Sequence, residues 1–193
     1  MRRLPLILAS ASPRRAKLLT AAGIRFKVIS SDAEEVDGGH LTGSETAQLN
    51  AVRKARTVAK QNPKSVVLSA DTVVCLGSRL FGKPENLKEA RSMLRTLSGR
   101  THEVVTGCCL VHTETERCEV FHERTHVTFR RLSHRQIDEY LDSIEPLDKA
   151  GAYAIQDNGE VIVESVHGSL TNVVGLPLAS VCERLTGFTA VSG

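Results

Sequence analysis

Residues 4–19 restrict what this chain can become more than any other stretch. Leu6-Ile7-Leu8 is a short apolar run bounded by small residues, the pattern of a buried strand. Ser12 then stands in an N-cap position, with Pro13 at the first helical residue, where its missing N–H costs nothing. Apolar residues resume at Leu18 and Leu19, so strand, tight turn and helix start lie in one segment. Arg14 and Arg15 are out of place there. The first turn of a helix carries partial positive charge, which disfavours basic side chains by roughly 0.3–1 kcal/mol each. An anion between them reverses that sign, because guanidinium forks and free helix N–H groups together match a phosphate chain. The segment therefore reads as a phosphate-binding turn. Two solvated arginines tolerated at a small penalty remain the alternative.

The 193 residues allow one domain with ample core, in one piece or split into two lobes around a cleft. A net charge of +3, aromatics at 4% and no Trp exclude a nucleic-acid-coating surface with stacking platforms, so no direct nucleic-acid binding is expected. The five cysteines form no C-x-x-C pair and are odd in number, which argues against a disulfide framework and fits a reducing compartment. Met1-Arg2-Arg3 and the apolar run after it superficially resemble a signal peptide. That run is shorter than the roughly 7–15 residues of an apolar signal core. No stretch approaches the ~18 apolar residues of a membrane span. The expectation is a soluble cytoplasmic protein.

Further along, 26–29 reads as a strand, followed by an acidic loop with Asp32, Glu34, Glu35 and Asp37 before Gly38-Gly39. Carboxylates so crowded are either solvated or hold a hard divalent cation. Thr42-Gly43-Ser44-Glu45 is a capping-box signature for a helix ending at Asn62-Pro63, with Ala47, Ala51, Ala55 and Val58 on one face. Lys54 sits on or beside that face. Read from the helix alone it snorkels outward, the other choice being a cation aimed into a cleft. Runs at 65–70 and 73–76 read as strands, and Gly77-Ser78 suits a tight hairpin turn. Asp71-Thr72 lies between those runs. An aspartate there is a general base or metal ligand held by partners, or else it closes an Asx-type turn. Phe81-Gly82-Lys83-Pro84 offers another cation, rigidly placed.

Asn86 caps a helix with Ala90, Met93, Leu94 and Leu97 as its core stripe, ended by Gly99. Antiparallel strands follow, at 104–105, 108–111 and 120–129. His122-Glu123-Arg124-Thr125-His126 matches the zinc-protease pattern H-E-x-x-H, which requires a helix. The alternating, β-branched context predicts a strand instead, on which the two histidines stand ~13 Å apart, too far to share one zinc. Ser133 and Gln136 open another helix, with Ile137, Tyr140, Leu141 and Ile144 on its inner face. The small-residue loop 147–156 ends on Gln156, whose amide can read a donor and an acceptor on a base edge or simply be a loop residue. A strand is expected at 161–163 and a last helix to about residue 185.

In combination these stretches resemble the Maf family, in order: Leu8-Ala9-Ser10-x-Ser12-Pro13-Arg14-Arg15, Lys54-Ala55, Ala70-Asp71-Thr72, Gly82-Lys83-Pro84, Leu97-Ser98-Gly99, Asp148-Lys149-Ala150-Gly151 and Asn172-Val173-Val174-Gly175-Leu176-Pro177. The resemblance runs from about residue 4 to 186. It implies a single α/β domain, a mixed sheet with flanking helices like that of inosine-triphosphate pyrophosphatases, two lobes around a cleft, and a protein that is often a homodimer. It also implies a nucleoside triphosphate pyrophosphatase that uses a divalent metal (Mg, Mn or Co) to release a monophosphate and pyrophosphate. By that resemblance Asp71 is the proton acceptor and, with Glu35, the metal-site carboxylate. Ser10, Ser12, Arg14, Arg15, Lys54 and Lys83 bind phosphates. Arg15, Thr72 and Gln156 match the specificity positions of the branch acting on dTTP and UTP, whereas the 7-methyl-GTP branch carries Trp at the place of Arg14 and Gln at that of Thr72. Arg53, Asp157 and Leu170 depart from the family's usual Glu, Gly and Tyr. The family's association with septum formation supplies a second reading, a regulator that binds nucleotide without turning it over.

Overall fold

The computed structural model describes residues 4–36 and 39–189; the Met1-Arg2-Arg3 start, and Asp37 and Gly38 of the acidic loop, lie outside them. The chain runs β1 (Leu6–Leu8), α1 (Pro13–Ala21), β2 (Lys27–Val28), α2 (Gly43–Gln61), β3 (Val66–Leu76), β4 (Arg79–Phe81), α3 (Leu87–Leu97), β5 (Thr101–His112), β6 (Arg117–Phe129), α4 (His134–Asp142), α5 (Gly159–Ile162), β7 (Val163–His167), α6 (Leu170–Val174) and α7 (Leu178–Thr189). Four helices start where a side chain satisfies free N–H groups, one of them α6, where Ser169 accepts from the Asn172 N–H. Thr42 and Glu45 form a reciprocal capping box on α2, Ser133 and Gln136 do so on α4, and Asn86 accepts from the Glu89 N–H on α3. Ser12 departs from its expected part: it precedes α1 with an extended backbone but makes no side-chain cap, and its own N–H donates to Ser10 Oγ at 3.2 Å.

Seven strands form one mixed sheet in the order β2-β1-β3-β5-β6-β7, with β4 also on β3. β1 lies parallel to β2 and β3, and the remaining pairs are antiparallel. Leu6, Leu8, Leu19, Leu68, Leu110 and Val181 pack one core cluster, and the stripe of α3 joins Phe129, Ile137 and Tyr140 in another. Ala51, Ala55, Val58 and Ala59 lay α2 against Val67 and Cys109. Small side chains there let the helix approach the sheet closely, which matters for the site below. No helix among the described residues is long and apolar enough to cross a membrane.

Two local expectations change, and one holds. Asp71-Thr72 does not interrupt two strands or close an Asx turn; it lies inside β3, whose residues 67–75 pair without a break with 111–103 of β5. A long ladder outweighs one local side-chain turn. The 161–163 strand begins only at Val163, because 159–162 form a helical turn whose Ile162 carbonyl accepts from the Arg130 N–H at 2.9 Å. His122 and His126 do lie on a strand, β6, as their context requires, so the zinc-protease geometry is absent from that segment.

His102 provides a measurable property of the core. It is 1% exposed, donates or accepts through Nε2 at 2.8 Å from the Tyr153 hydroxyl, and packs edge-on against Phe129. Burial pulls its pKa from 6.5 down to about 4. The ring is therefore neutral in the fold, while the unfolded chain takes up a proton once pH drops below its ordinary value. Stability is full above about pH 6.5 and falls towards pH 4, by about 3 kcal/mol over that window. Urea midpoints measured from pH 7 to 4 are expected to drop less steeply in His102→Phe than in the parent protein; parallel curves would show that His102 is not the titrating group.

Candidate active site

The site exists because the sheet has a gap. On one side of β3, β1 covers residues 66–68 and β4 covers 74–76. Residues 69–73 between them have no strand neighbour on that side among the described residues, while β5 backs them on the other. A cavity of about 600 Å³ opens there. It is lined by Ser10, Ser12, Arg14, Arg15, Glu35, Lys54, Asp71, Thr72, Lys83 and Gln156, so all the site residues implied by the family resemblance reach one hollow, while Asp32 and Glu34 of the acidic loop do not. Because neighbours on a strand point to opposite faces, Asp71 and Thr72 address two sides of that hollow.

Asp71, 6% exposed, faces α2. Lys54 Nζ donates to Asp71 Oδ1 at 2.6 Å and to Glu35 Oε1 at 2.7 Å, and Asn50 Nδ2 donates to Asp71 Oδ2 at 3.2 Å. The outward snorkelling read for Lys54 is thus corrected: its ammonium turns into the cleft, drawn by two carboxylates that lie far away in sequence. Burial works to raise the Glu35 pKa, but the hydrogen bond and charge of Lys54, helped by Lys83 and Arg15, outweigh it and leave the pKa below its usual value. Glu35 is an anion at neutral pH. Asn50 also grips the acidic loop, accepting from the Val36 N–H at 2.7 Å, and Arg53 Nε donates to the Glu34 carbonyl at 3.1 Å. The departure at Arg53 has become a loop clamp.

On the opposite face Arg15 is anchored through three of its five N–H groups. Nε donates to the Gly175 carbonyl at 2.8 Å, Nη1 to Ser10 Oγ at 3.0 Å and Nη2 to Thr72 Oγ1 at 3.1 Å. Burial lowers its pKa, against the pull of Asp71 in the other direction, yet a guanidinium remains charged at any ordinary pH. Arg14 spans the mouth to Asp148, with Nη1 at 2.9 Å from Oδ2. Lys83 is exposed, 3.9 Å from Glu35 Oε1, and retains most of its freedom. Gln156 is exposed at the rim. A positive field so arranged over a buried carboxylate suits a polyanion.

Glu35 and Asp71 are the residues able to hold a hard cation. They converge on the Lys54 ammonium, which shows that the spot between them accepts positive charge, and both offer carboxylate oxygens. No cluster of three or more His, Cys, Asp or Glu ligands occurs among the described residues. Two carboxylates suit Mg²⁺ or Mn²⁺, whose remaining positions go to water and phosphate oxygens. Residue-by-residue reading passed over Asn50 and Thr106 and gave Asn172, quoted above only as part of a motif, no role; all three are buried polar residues. Asn50 lies four residues before Lys54, which was the available signal; Thr106 and Asn172 meet the site only through cross-strand and loop contacts.

Carboxylate, clustered cations and a gapped mixed sheet define an α/β protein built around a cation-lined cleft. The sequence model of the Maf-like protein family matches residues 5–188, and the chain belongs to that family. It is 45% identical over 183 residues, covering 95% of each chain, to proteins named dTTP/UTP pyrophosphatase from Bacillus cereus (strain G9842) and Bacillus anthracis, and to the one so named from Bacillus mycoides (strain KBAB4). The fold also resembles the solved structure of a HAM1 protein from Coxiella burnetii, with a TM-score of 0.53 at 16% identity, over 95% of this chain and 99% of that one.

Proposed function

We propose that this protein is a nucleoside triphosphate pyrophosphatase that hydrolyses dTTP and UTP to the monophosphate and pyrophosphate. The observation that carries the reading is Asp71, a buried carboxylate held by Lys54 and Asn50 at the floor of a cation-lined cleft. Near-half identity to proteins named for that reaction, across almost the whole chain, supports the substrate. Asp71 accepts the proton of the attacking water. Arg14 and Lys83, at the mouth, hold phosphate oxygens, and Ser10 and Ser12 supply hydroxyls beside the helix start of α1. Lys54 keeps Asp71 and Glu35 together. Arg15, anchored on three sides, sets Thr72 in place at the base end, with Gln156 at the rim. A divalent cation held by Glu35 and Asp71 would neutralise phosphate charge and lower the pKa of bound water. The free cysteines fit a cytoplasmic setting.

A panel of nucleoside triphosphates assayed for pyrophosphate release tests this. Release from dTTP and UTP with Mg²⁺ or Mn²⁺, abolished by EDTA and restored by added metal, is the expected result. Nucleotide binding without any pyrophosphate would instead favour the non-catalytic septum regulator.

A further inference from the structure

Thr106 on β5 stands directly opposite Thr72 and is completely buried. Its hydroxyl has one proton to give. That proton goes to the Asn172 carbonyl oxygen, 3.1 Å away, because a carbonyl only accepts. The 2.9 Å contact between the two threonine hydroxyls then has a single polarity left, with Thr72 donating to Thr106. On its other side Thr72 accepts from Arg15 Nη2 at 3.1 Å. A directional chain results, running from Arg15 through Thr72 and Thr106 to Asn172. Thr72 has one lone pair and no proton left for the cleft it lines.

We propose that Thr106 is a positioning residue that determines base specificity: by taking up the Thr72 hydroxyl proton, it makes Thr72 an acceptor-only group toward the nucleobase. The proposal rests on the reading above, in which the cleft holds a pyrimidine nucleotide with its base at Thr72. Uracil and thymine present a ring N3–H, a donor that such a group accepts, whereas cytosine presents an unprotonated N3 that it cannot serve. Replacing Thr106 by Val keeps the shape and removes the proton sink, so the Thr72 hydroxyl becomes free to rotate and donate. The Asn172 carbonyl is not stranded by this change, since the Gly175 N–H still donates to it at 2.9 Å.

The experiment compares kcat/KM for UTP and CTP, by pyrophosphate release, in the parent protein, Thr106→Val and Thr106→Ser. The UTP:CTP ratio is expected to fall about tenfold in Thr106→Val, the scale of one neutral hydrogen bond, and to return in Thr106→Ser. A merely structural role would depress both substrates alike. An unchanged ratio in Thr106→Val therefore overturns the proposal, whatever happens to the absolute rates. Should that variant not fold, Thr106→Cys, with its weak acceptor, is judged by the same ratio. A parent protein that hydrolyses UTP with an unmoved ratio in the variants defeats only the role of Thr106; one that turns over neither nucleotide defeats the pyrophosphatase reading as well.

Discussion

Asp71→Asn is expected to lower kcat by about 10²–10⁴-fold, the usual contribution of a general base, with KM for UTP little changed. The side chain keeps its size, and Asn still offers Oδ1 to Lys54, whose Nζ lies 2.6 Å from the carboxylate. The backbone position is set by the ladder to β5, where Asp71 pairs with Gly107, so the variant should fold. What disappears is the capacity to take a proton from water. Arg14 and Lys83, the groups proposed to hold phosphate, make no hydrogen bond or ion pair with Asp71 and should hold substrate as before. Steady-state pyrophosphate release, with a thermal melt to confirm folding, measures the effect. Near-normal turnover would remove Asp71 from the chemistry.

Gly107→Ala should be the most damaging small substitution for stability. A methyl group built on Gly107 falls on the backbone of α2 at Ala47 and Gln48, with the Ala47 carbonyl oxygen at 2.6 Å. No side chain can swing aside there, so helix or strand must move. Overpacking of this kind costs about 1–3 kcal/mol, and at this chain length each kcal/mol lowers Tm by roughly 2–4 °C. A drop of several degrees in a thermal melt is expected. Activity should fall with it, because α2 carries Asn50 and Lys54 and Gly107 lies across from Asp71. An unshifted Tm would mean that α2 can recede from the sheet freely.

Local signals were strong where the physics is local. Thr42 and Glu45 announce α2 because a capping box needs only residues three apart, and Ser133 with Gln136 does the same for α4. Arg14 and Arg15 in a helix's first turn stand out as a charge anomaly, since the helix dipole acts within one turn, and both line the cleft. The H-E-x-x-H letters misled no further than their alternating context allowed. The failures have a common cause. Lys54 reads as a snorkelling lysine until Glu35 and Asp71, from the acidic loop and β3, arrive beside it. The break between two strands read at Asp71-Thr72, with its alternative of an Asx turn, disappears once β5 pairs along the whole of β3.

The sequence alone determined the main run of strands and helices, the starts of α2, α3 and α4, and a set of charged and polar residues whose types suit phosphate chemistry, together with the resemblance that grouped them; β4, α5 and α6 and several element ends it did not give. Tertiary structure decided the rest. It left 69–73 of β3 uncovered between β1 and β4, brought two carboxylates onto one ammonium, and gave the Thr72 hydroxyl its direction through Thr106. Charge and hydrogen-bond polarity depend on neighbours within a few ångströms, and for these groups the neighbours come from distant parts of the chain.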